Sequence, residues 1–203
     1  MATVKVKGRK HLFENHLFEA LTRTHISVPL SIFYGSSLII ILYFILVNGF
    51  SFGLTMLYFL GGLIVFSLTE YFAHRYLFHL KANTPRKEKL QYMLHGVHHE
   101  YPKDKGRLAM PPLVSITLAI LFLTFYNSIM GHPGFIFGSG FMSGYASYLM
   151  VHYIVHAWKP PKNFFKILWI NHAIHHYQNP NVAFGVSSPL WDVIFRTLPK
   201  KKK

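Results

Sequence analysis

The segment Val28–Val47, VPLSIFYGSSLIIILYFILV, contains no Asp, Glu, Lys or Arg. A helix needs about 17 to 25 mainly apolar residues to cross the core of a bilayer. Three further stretches, 52–69, 113–130 and 134–151, are also free of charge over about that length. A chain of 203 residues is too short to surround four such helices inside a soluble domain. The sequence therefore predicts an all-α integral membrane protein with four transmembrane helices.

The fourth predicted span differs in composition from the other three. It is rich in Gly and Ser, and Gly140, Gly144 and Ser147 recur at spacings of four and three residues. Small residues at this spacing allow two helix backbones to approach closely. We therefore expect the fourth span to be the inner helix of the bundle.

The connections between the spans predict how the chain crosses the membrane. The turns 48–51 and 131–133 are short and carry no Lys or Arg, so all 21 cations lie in the N-terminal segment, the central segment and the C-terminal segment. Cations concentrate on the cytoplasmic side of membrane proteins. We therefore predict two helical hairpins with both termini in the cytosol.

This topology divides the chain into an N-terminal cytosolic segment, 1–27, and a single membrane domain, 28–203. A helical cap on the cytosolic face would comprise residues 70–112 and 152–203. The net charge of +14 is then explained by anionic lipid headgroups, and no nucleic-acid partner is needed. The lysines at 200–203 are typical of either a retrieval signal of the endoplasmic reticulum or a polybasic tail on a lipid surface.

Histidine is abundant and clustered. Ten of the 14 histidines form four clusters in the predicted cap. These ten clustered histidines are His74 and His79, His95, His98 and His99, His152 and His156, and His172, His175 and His176. On a helix, offsets of three and four place side chains on one face, so each triplet is expected to aim at a common point. An offset of five is about 140° on an α-helix, so His74 and His79 must flank a metal or the helix must bend or end between them.

Ten imidazoles exceed what one metal ion binds, which predicts two metals, or one metal with further imidazoles around its ligands. The chain has no cysteine and few carboxylates near the clusters, so imidazole ligation favours Fe, Zn or Cu over Mg or Ca. The four remaining histidines are expected to be interfacial residues without a catalytic role. These are His11, His16, His25 and His132. A membrane metal transporter or sensor is the alternative outside enzymes, although it would more often place ligands at the middle of the membrane.

Several motifs together resemble the fatty acid hydroxylase superfamily, in particular the sphingolipid fatty acid 2-hydroxylases. The motifs are HRYLFH from His74, HGVHHEYP from His95, RLAMPP from Arg107, HYIVH from His152, HAIHHYQN from His172 and FGVSSPLWD from Phe184. They follow the order of the family and extend from about residue 69 to residue 197. The resemblance implies a membrane di-iron monooxygenase that hydroxylates C2 of a long acyl chain, free or within ceramide, using O2 and two electrons.

The resemblance also implies that all ten clustered histidines bind two Fe ions, although Zn can occupy such sites in purified protein. Because about 27 residues precede the first span, we expect a separate electron donor such as cytochrome b5, or a ferredoxin with its reductase. The same motifs leave a sterol or carotenoid hydroxylase or a desaturase open as alternatives. The expected location is the endoplasmic reticulum membrane or a bacterial inner membrane, with the active site on the cytosolic face.

Two further residues are candidates for the catalytic site. Tyr148 precedes His152 by one helical turn, and Glu70 precedes His74 by the same spacing. Either could donate or accept a hydrogen bond that orients an imidazole. An apolar slot between the second and fourth helices is expected to hold the acyl tail. The polar residues after the last triplet are expected to hold loop turns, namely Asn179, Asn181 and Asp192.

Overall fold

The computed structural model describes residues 4–5, 8–109 and 111–200 of the chain. These residues form helices and loops, and no strand occurs among them. The α-helices are α1 (His16–Leu21), α2 (Ser27–Leu46), α3 (Phe52–Phe72), α4 (Pro85–Gln91), α5 (Val97–Glu100), α6 (Pro112–Met130), α7 (Pro133–Ala157), α8 (Lys166–Tyr177) and α9 (Leu190–Ile194). Two π-helical turns, Ala73–Phe78 and Tyr92–Gly96, and a 3-10 turn, Lys105–Arg107, complete the helical structure. The predicted all-α fold is confirmed.

Three segments of the described chain are long and apolar enough to cross a membrane. They are Ser27–Leu46, Phe52–Phe78 and Lys105–Met130, and they contain the first three predicted spans almost completely. The fourth prediction, 134–151, falls within α7, which is not among these segments. Helix α7 is richer in Gly and Ser than the other three spans and has fewer large apolar residues, which lowers its hydropathy.

The helices begin and end at residues with a local reason to do so. The Ser51 hydroxyl accepts a hydrogen bond from Leu54 N–H at 3.3 Å and caps α3. Pro112 and Pro133 stand in the first turns of α6 and α7, where a missing N–H costs nothing. Gly131 ends α6 with a φ of 65°, which favours glycine. The connections after α2 and α6 are therefore as short as the sequence predicts.

Helix α7 is the inner helix of the bundle, as predicted. It packs against α2, α3 and α6, and about half of its residues are buried. A Cβ atom added at Gly140 would overlap the carbonyl oxygen of Phe59 on α3, and one added at Gly144 would lie 2.7 Å from the Phe66 side chain. The Ser147 hydroxyl forms a 2.9 Å hydrogen bond with the Tyr34 hydroxyl on α2. The small residues thus bring α7 close to its neighbours.

The described part of the N-terminal segment packs onto the loop before α6. Glu19 is buried and accepts hydrogen bonds from Leu12 N–H at 2.9 Å and Phe13 N–H at 3.3 Å. Arg107 forms an ion pair with Glu19 and donates to the Thr22 hydroxyl at 2.9 Å. The segment is therefore an integral part of the histidine-bearing end of the protein. The lysines at 201–203, part of the predicted retrieval signal or basic tail, lie outside the described residues.

Candidate metal centre

His74 lies in a π-helical turn that continues α3, and His79 directly follows this turn. The turn spans Ala73–Phe78, and His79 N–H donates to the His74 carbonyl at 3.2 Å. A π turn is wider than an α turn because its hydrogen bonds join residues five apart. The two imidazoles therefore face one side, with ring centroids 5.1 Å apart. The structure accommodates the five-residue spacing by widening the helix.

The second cluster also contains a π turn. His95 lies in the turn Tyr92–Gly96, and His98 and His99 follow in α5. His98 and His99 are neighbours in sequence, and both lie close to the ring of His176, at 4.6 and 4.2 Å, but their other partners differ. The His98 ring lies 4.5 Å from that of His152, and the His99 ring lies 4.9 Å from that of His79.

The other two clusters lie on regular α-helices. His152 and His156 are one turn apart at the end of α7, with ring centroids 4.9 Å apart. The last turns of α8 carry His172, His175 and His176. The His172 and His176 rings are 4.5 Å apart, whereas those of His172 and His175 are 6.1 Å apart. The triplet is therefore not aimed at one point.

Tertiary packing sorts the ten clustered histidines into two groups of five, and within each group one nitrogen per residue lies within 4.8 Å of the others. The first histidine group comprises His74, His79, His95, His99 and His175. The second histidine group comprises His98, His152, His156, His172 and His176. Each sequence triplet is split between the groups, so the expectation that a triplet shares one point is wrong. His11, His16, His25 and His132 belong to neither group.

Hydrogen bonds to the backbone set the tautomers of two imidazoles in the first histidine group. His74 Nδ1 lies 2.6 Å from the Phe184 carbonyl, and His175 Nδ1 lies 2.8 Å from the Val182 carbonyl. A carbonyl only accepts hydrogen bonds, so Nδ1 carries the proton in both rings. The Nε2 lone pairs of His74 and His175 are consequently free to bind a metal.

The nitrogen separations suit metal ligation. His74 Nε2 lies 3.1 Å from His95 Nε2, and His175 Nε2 lies 2.9 Å from His79 Nε2. In the second histidine group, His98 Nε2 lies 2.9 Å from His152 Nε2. Two imidazoles bound at right angles about 2.1 Å from one ion have nitrogens about 3.0 Å apart. The donor sets therefore fit a transition metal in each group.

The burial of the imidazoles also supports metal binding, because it keeps them neutral. Burial, and then the neighbouring imidazoles, lower the pKa values of His98, His172 and His176 well below 6.5. Burial lowers the pKa of His79 to about 4. The imidazoles are therefore neutral at physiological pH, as metal binding requires. Among the described residues, the buried His99 Nε2 has no hydrogen-bond partner, which would cost about 1–3 kcal/mol if nothing bound there.

The two other candidate residues lie close to the histidine groups. The Tyr148 ring stacks on that of His152 with centroids 5.4 Å apart and an interplanar angle of 25°. Glu70 is buried, and its carboxylate accepts hydrogen bonds from Val186 and Ser187 in the loop after α8. Glu70 therefore meets the backbone of a loop that itself contacts imidazoles.

Two cavities reach the histidines from different directions. One, of about 310 Å³, lies between α5, α6 and α7 and is lined mainly by apolar side chains. Its wall includes His98, His152, Leu108, Val114, Tyr148 and Leu149. The other, of about 430 Å³, reaches His79, His99 and His176 past the polar side chains of Gln91 and Gln178. An apolar chain fits the first cavity better, because its walls offer few polar partners.

The loop 182–187 was not among the residues expected to act at the site. Its carbonyl groups orient imidazoles, and a backbone carbonyl leaves no signal in the residue types of a sequence. Only Asp192 was expected to hold a turn there, and its carboxylate accepts the N–H groups of Phe184 and Gly185 at 2.9 and 2.7 Å. Asn179 holds the turn before this loop, as expected, by accepting Asn181 N–H at 3.0 Å.

Both the sequence and the fold are similar to those of known proteins. Residues 59–197 match the family described as fatty acid hydroxylase. The chain is 36% identical to dihydroceramide fatty acyl 2-hydroxylase FAH1 of Arabidopsis thaliana over 146 residues, which are 70% of this chain and 60% of that protein. It is 34% identical to fatty acid 2-hydroxylase of Rattus norvegicus, over 69% of this chain and 39% of that protein. The chain thus spans about 60% or less of the length of these two relatives.

A solved structure shows the same fold. Full-length scs7p, of which only the hydroxylase domain is visible, aligns with a TM-score of 0.80 and 31% sequence identity. The alignment covers 96% of this chain and 74% of that one. The matched region of the family includes all ten clustered histidines and the loop that contacts them. The chain belongs to the fatty acid hydroxylase family.

Proposed function

We propose that this protein is an O2-dependent monooxygenase that hydroxylates a long fatty acyl chain at C2, in a free fatty acid or in ceramide or another sphingolipid. The observation that carries the proposal is the pair of five-histidine groups beside an apolar cavity. The named relatives are hydroxylases of fatty acids and of dihydroceramide fatty acyl chains, which supports an acyl substrate over a sterol or a carotenoid.

The first and second histidine groups would each hold one iron ion, with the ten clustered histidines as ligands. When bound, the iron supplies the activation of O2 that attack on an unreactive C–H bond requires and that no side chain provides. The protein orients the imidazoles, as the carbonyl groups of Phe184 and Val182 do for His74 and His175. Burial of the groups keeps bulk water away from the reacting carbon.

The substrate would enter the apolar cavity with its acyl chain along Leu108, Val114 and Leu149. Tyr148 and His152 both line this cavity, and their rings stack against each other. We assign it two roles, to orient that imidazole and to shape the position of the acyl carbon. The two electrons that accompany O2 would come from a redox protein such as cytochrome b5, or a ferredoxin with its reductase.

We further propose that α7 is a fourth transmembrane helix and that residues 28–203 form one membrane domain. The support is the length of α7, its position among three apolar segments and its lack of charged residues. Both hairpins would then open to the cytosol, with the cap segments 70–112 and 152–203 on that face. Such a protein suits the endoplasmic reticulum or a bacterial inner membrane.

Lipid analysis tests the reaction. Cells that express the protein are expected to accumulate acyl chains that are heavier by one oxygen atom, with the hydroxyl group at C2. Mass spectrometry of released fatty acids and sphingolipids measures both the gain and its position. Hydroxylated sterols or carotenoids, or chains that have lost two hydrogens, would contradict the assigned substrate or reaction. If the lipids are unchanged and the protein moves metal ions across the membrane, the alternative function as a metal transporter would be favoured.

The purified protein is expected to contain about two transition-metal ions per chain, because each histidine group offers a complete set of neutral imidazoles. Elemental analysis of protein purified in detergent measures the ratio. Zinc can replace iron during purification, so the number of ions and not their identity is the test. Protein that hydroxylates lipids with no bound transition metal would refute the metal centre.

Both termini are expected to face the cytosol, because all 21 cations lie on one side of the predicted spans. Protease added to the cytosolic side of sealed vesicles should remove the lysine tail, while the turn 131–133 stays protected. A tail cleaved only from the opposite side would overturn this topology. It would also move the metal centre to the other face of the membrane.

A further inference from the structure

The loop of residues 182–187, between α8 and α9, orients two imidazoles of the first histidine group. We call this segment the carbonyl loop. Its carbonyl groups at Val182 and Phe184 accept hydrogen bonds from His175 Nδ1–H and His74 Nδ1–H. Ala183, between them, has a φ of 57°, a conformation that non-glycine residues rarely adopt. The backbone is thus held in an unfavourable conformation at the point where both carbonyl groups meet the site.

Two buried carboxylates hold the carbonyl loop in this shape. Asp192 is fully buried and accepts Phe184 N–H through Oδ1 and Gly185 N–H through Oδ2. Glu70 is 6% exposed, and its Oε1 accepts Val186 N–H at 2.8 Å and Ser187 N–H at 2.9 Å. The other Glu70 oxygen accepts the Ser187 hydroxyl. Four consecutive backbone N–H groups are therefore bound by carboxylates from two different helices.

The backbone of the carbonyl loop connects these carboxylates to the imidazoles. Phe184 donates its N–H to Asp192 and accepts from His74 with its carbonyl group, so one residue lies between carboxylate and imidazole. Without the carboxylates, three buried N–H groups and the partly buried N–H of Ser187 would lose their partners, at a cost of about 1–3 kcal/mol for each buried group. The Phe184 carbonyl shares a peptide group with the Gly185 N–H and would then turn away from His74. The peptide group of the Val182 carbonyl is held through the Ala183 N–H, which donates to the Thr197 carbonyl at 2.9 Å, and the Thr197 hydroxyl donates to Asp192 Oδ1 at 2.6 Å. Loss of Asp192 would therefore also loosen the residue that holds the Val182 carbonyl against His175.

We propose that Glu70 and Asp192 are positioning residues for the first histidine group. They hold the carbonyl loop so that His74 and His175 keep their protons on Nδ1 and present Nε2 to the metal. This inference rests on the proposed metal centre. It assigns Glu70 a role through the loop backbone and not through direct contact with an imidazole.

The second histidine group lacks such support among the described residues. The Nδ1 atoms of His172 and His176 are buried and have no hydrogen-bond partner there. Damage to the carbonyl loop should therefore weaken the first metal and spare the second. This selectivity separates a positioning role from a general loss of folding.

The test uses substitutions that differ in how well they replace the carboxylate. In Asp192→Asn, the amide NH2 must face the N–H of either Phe184 or Gly185, so one hydrogen bond is lost. In Glu70→Gln, the amide oxygen can still accept from Val186 and Ser187 N–H, and the NH2 can donate to the Ser187 hydroxyl. Glu70→Ala removes all three bonds. Glu19→Gln is the control for a general loss of stability. Glu19 is also a buried carboxylate that accepts two backbone N–H groups, it forms ion pairs with Arg107 and Arg23, and none of these partners lies in the carbonyl loop.

The protein in detergent is loaded with zinc, and the release of each ion to a chelator is followed. His175→Ala and His172→Ala, which each remove one ligand from a different group, identify which phase of release belongs to which group. Thermal unfolding of the metal-free proteins is measured in parallel. Asp192→Asn and Glu70→Ala should release the first metal about 10- to 100-fold faster and the second at the rate of the unmodified protein. Glu70→Gln and Glu19→Gln should release both close to that rate.

Two results would overturn the inference. The first is that Asp192→Asn and Glu70→Ala retain both metals at the unmodified rate. The second is that they lose both metals in parallel as the metal-free protein loses stability, since this indicates a purely structural role. If the unmodified protein binds no transition metal, the proposed function fails as well. If the unmodified protein binds two metal ions and Asp192→Asn and Glu70→Ala release both at its rate, only the positioning role is refuted.

Discussion

Replacing His176 with alanine is expected to abolish hydroxylation while the protein still folds and inserts into the membrane. His99→Ala and His156→Ala should behave in the same way. Each substitution removes one nitrogen from a group of five. The other four histidines of the group already point at the same place, so none of them can replace the lost nitrogen. Loss of residues that only support a ligand costs about 10- to 100-fold, so loss of a ligand should cost at least about 100-fold. The yield of 2-hydroxylated lipid per unit of inserted protein measures the effect.

Two histidines outside both groups provide the control. His11 is highly exposed in the N-terminal segment, and His132 precedes α7 at the opposite end of that helix from His156. His11→Ala and His132→Ala should retain most of the activity. If all five variants hydroxylate lipids at near the unmodified rate, the histidine groups are not the catalytic centre. A metal transporter or sensor would then be the better interpretation of the protein's function.

Gly140→Val is expected to be among the most destabilising single changes in the bundle. A side chain at Gly140 would overlap the carbonyl oxygen of Phe59, a backbone atom that cannot move unless α3 and α7 separate. Overpacking in a core costs about 1–3 kcal/mol and occasionally more, and we expect the upper end here. Because α3 leads into His74 and α7 carries His152, the separation should also disturb both histidine groups.

Gly35→Ala is the matched control on α2. A Cβ at Gly35 would meet no atom within 4 Å. Replacing glycine with alanine inside a helix then stabilises it by about 0.5–1 kcal/mol. Thermal unfolding in detergent should therefore show a large loss for Gly140→Val and none for Gly35→Ala. Equal stability of the two variants would show that α3 and α7 do not depend on backbone contact.

The resemblance of the sequence to fatty acid hydroxylases correctly identified the family, because each motif is a short string of neighbouring residues and the motifs keep the family's order along the chain. The ten histidines predicted to bind metal are the ten that the structure brings together. Their division into groups was not predictable, since His98 and His99 are adjacent in sequence yet meet partners from different helices. Spacing along a helix shows which residues share a face and not which distant helix packs against that face.

The π turn at His74 shows a related limit. The two histidines are five positions apart in the sequence, with four residues between them, and bending, ending or widening the helix could each satisfy that spacing. Only the packed structure selects the wider turn, because His79 must reach His175 on α8.

Local composition alone was enough to predict the apolar helices, the absence of thiolate ligands and the imidazole chemistry of the site. These properties follow from residue type and from periodicity over a few turns. The two histidine groups, the strained carbonyl loop and the buried carboxylates that hold it depend on contacts between residues far apart in sequence, such as His74 with Phe184 and Glu70 with Val186. Such contacts form only when α3 and the loop after α8 pack together, because burial makes every unpaired N–H, carboxylate or imidazole costly until it finds its partner.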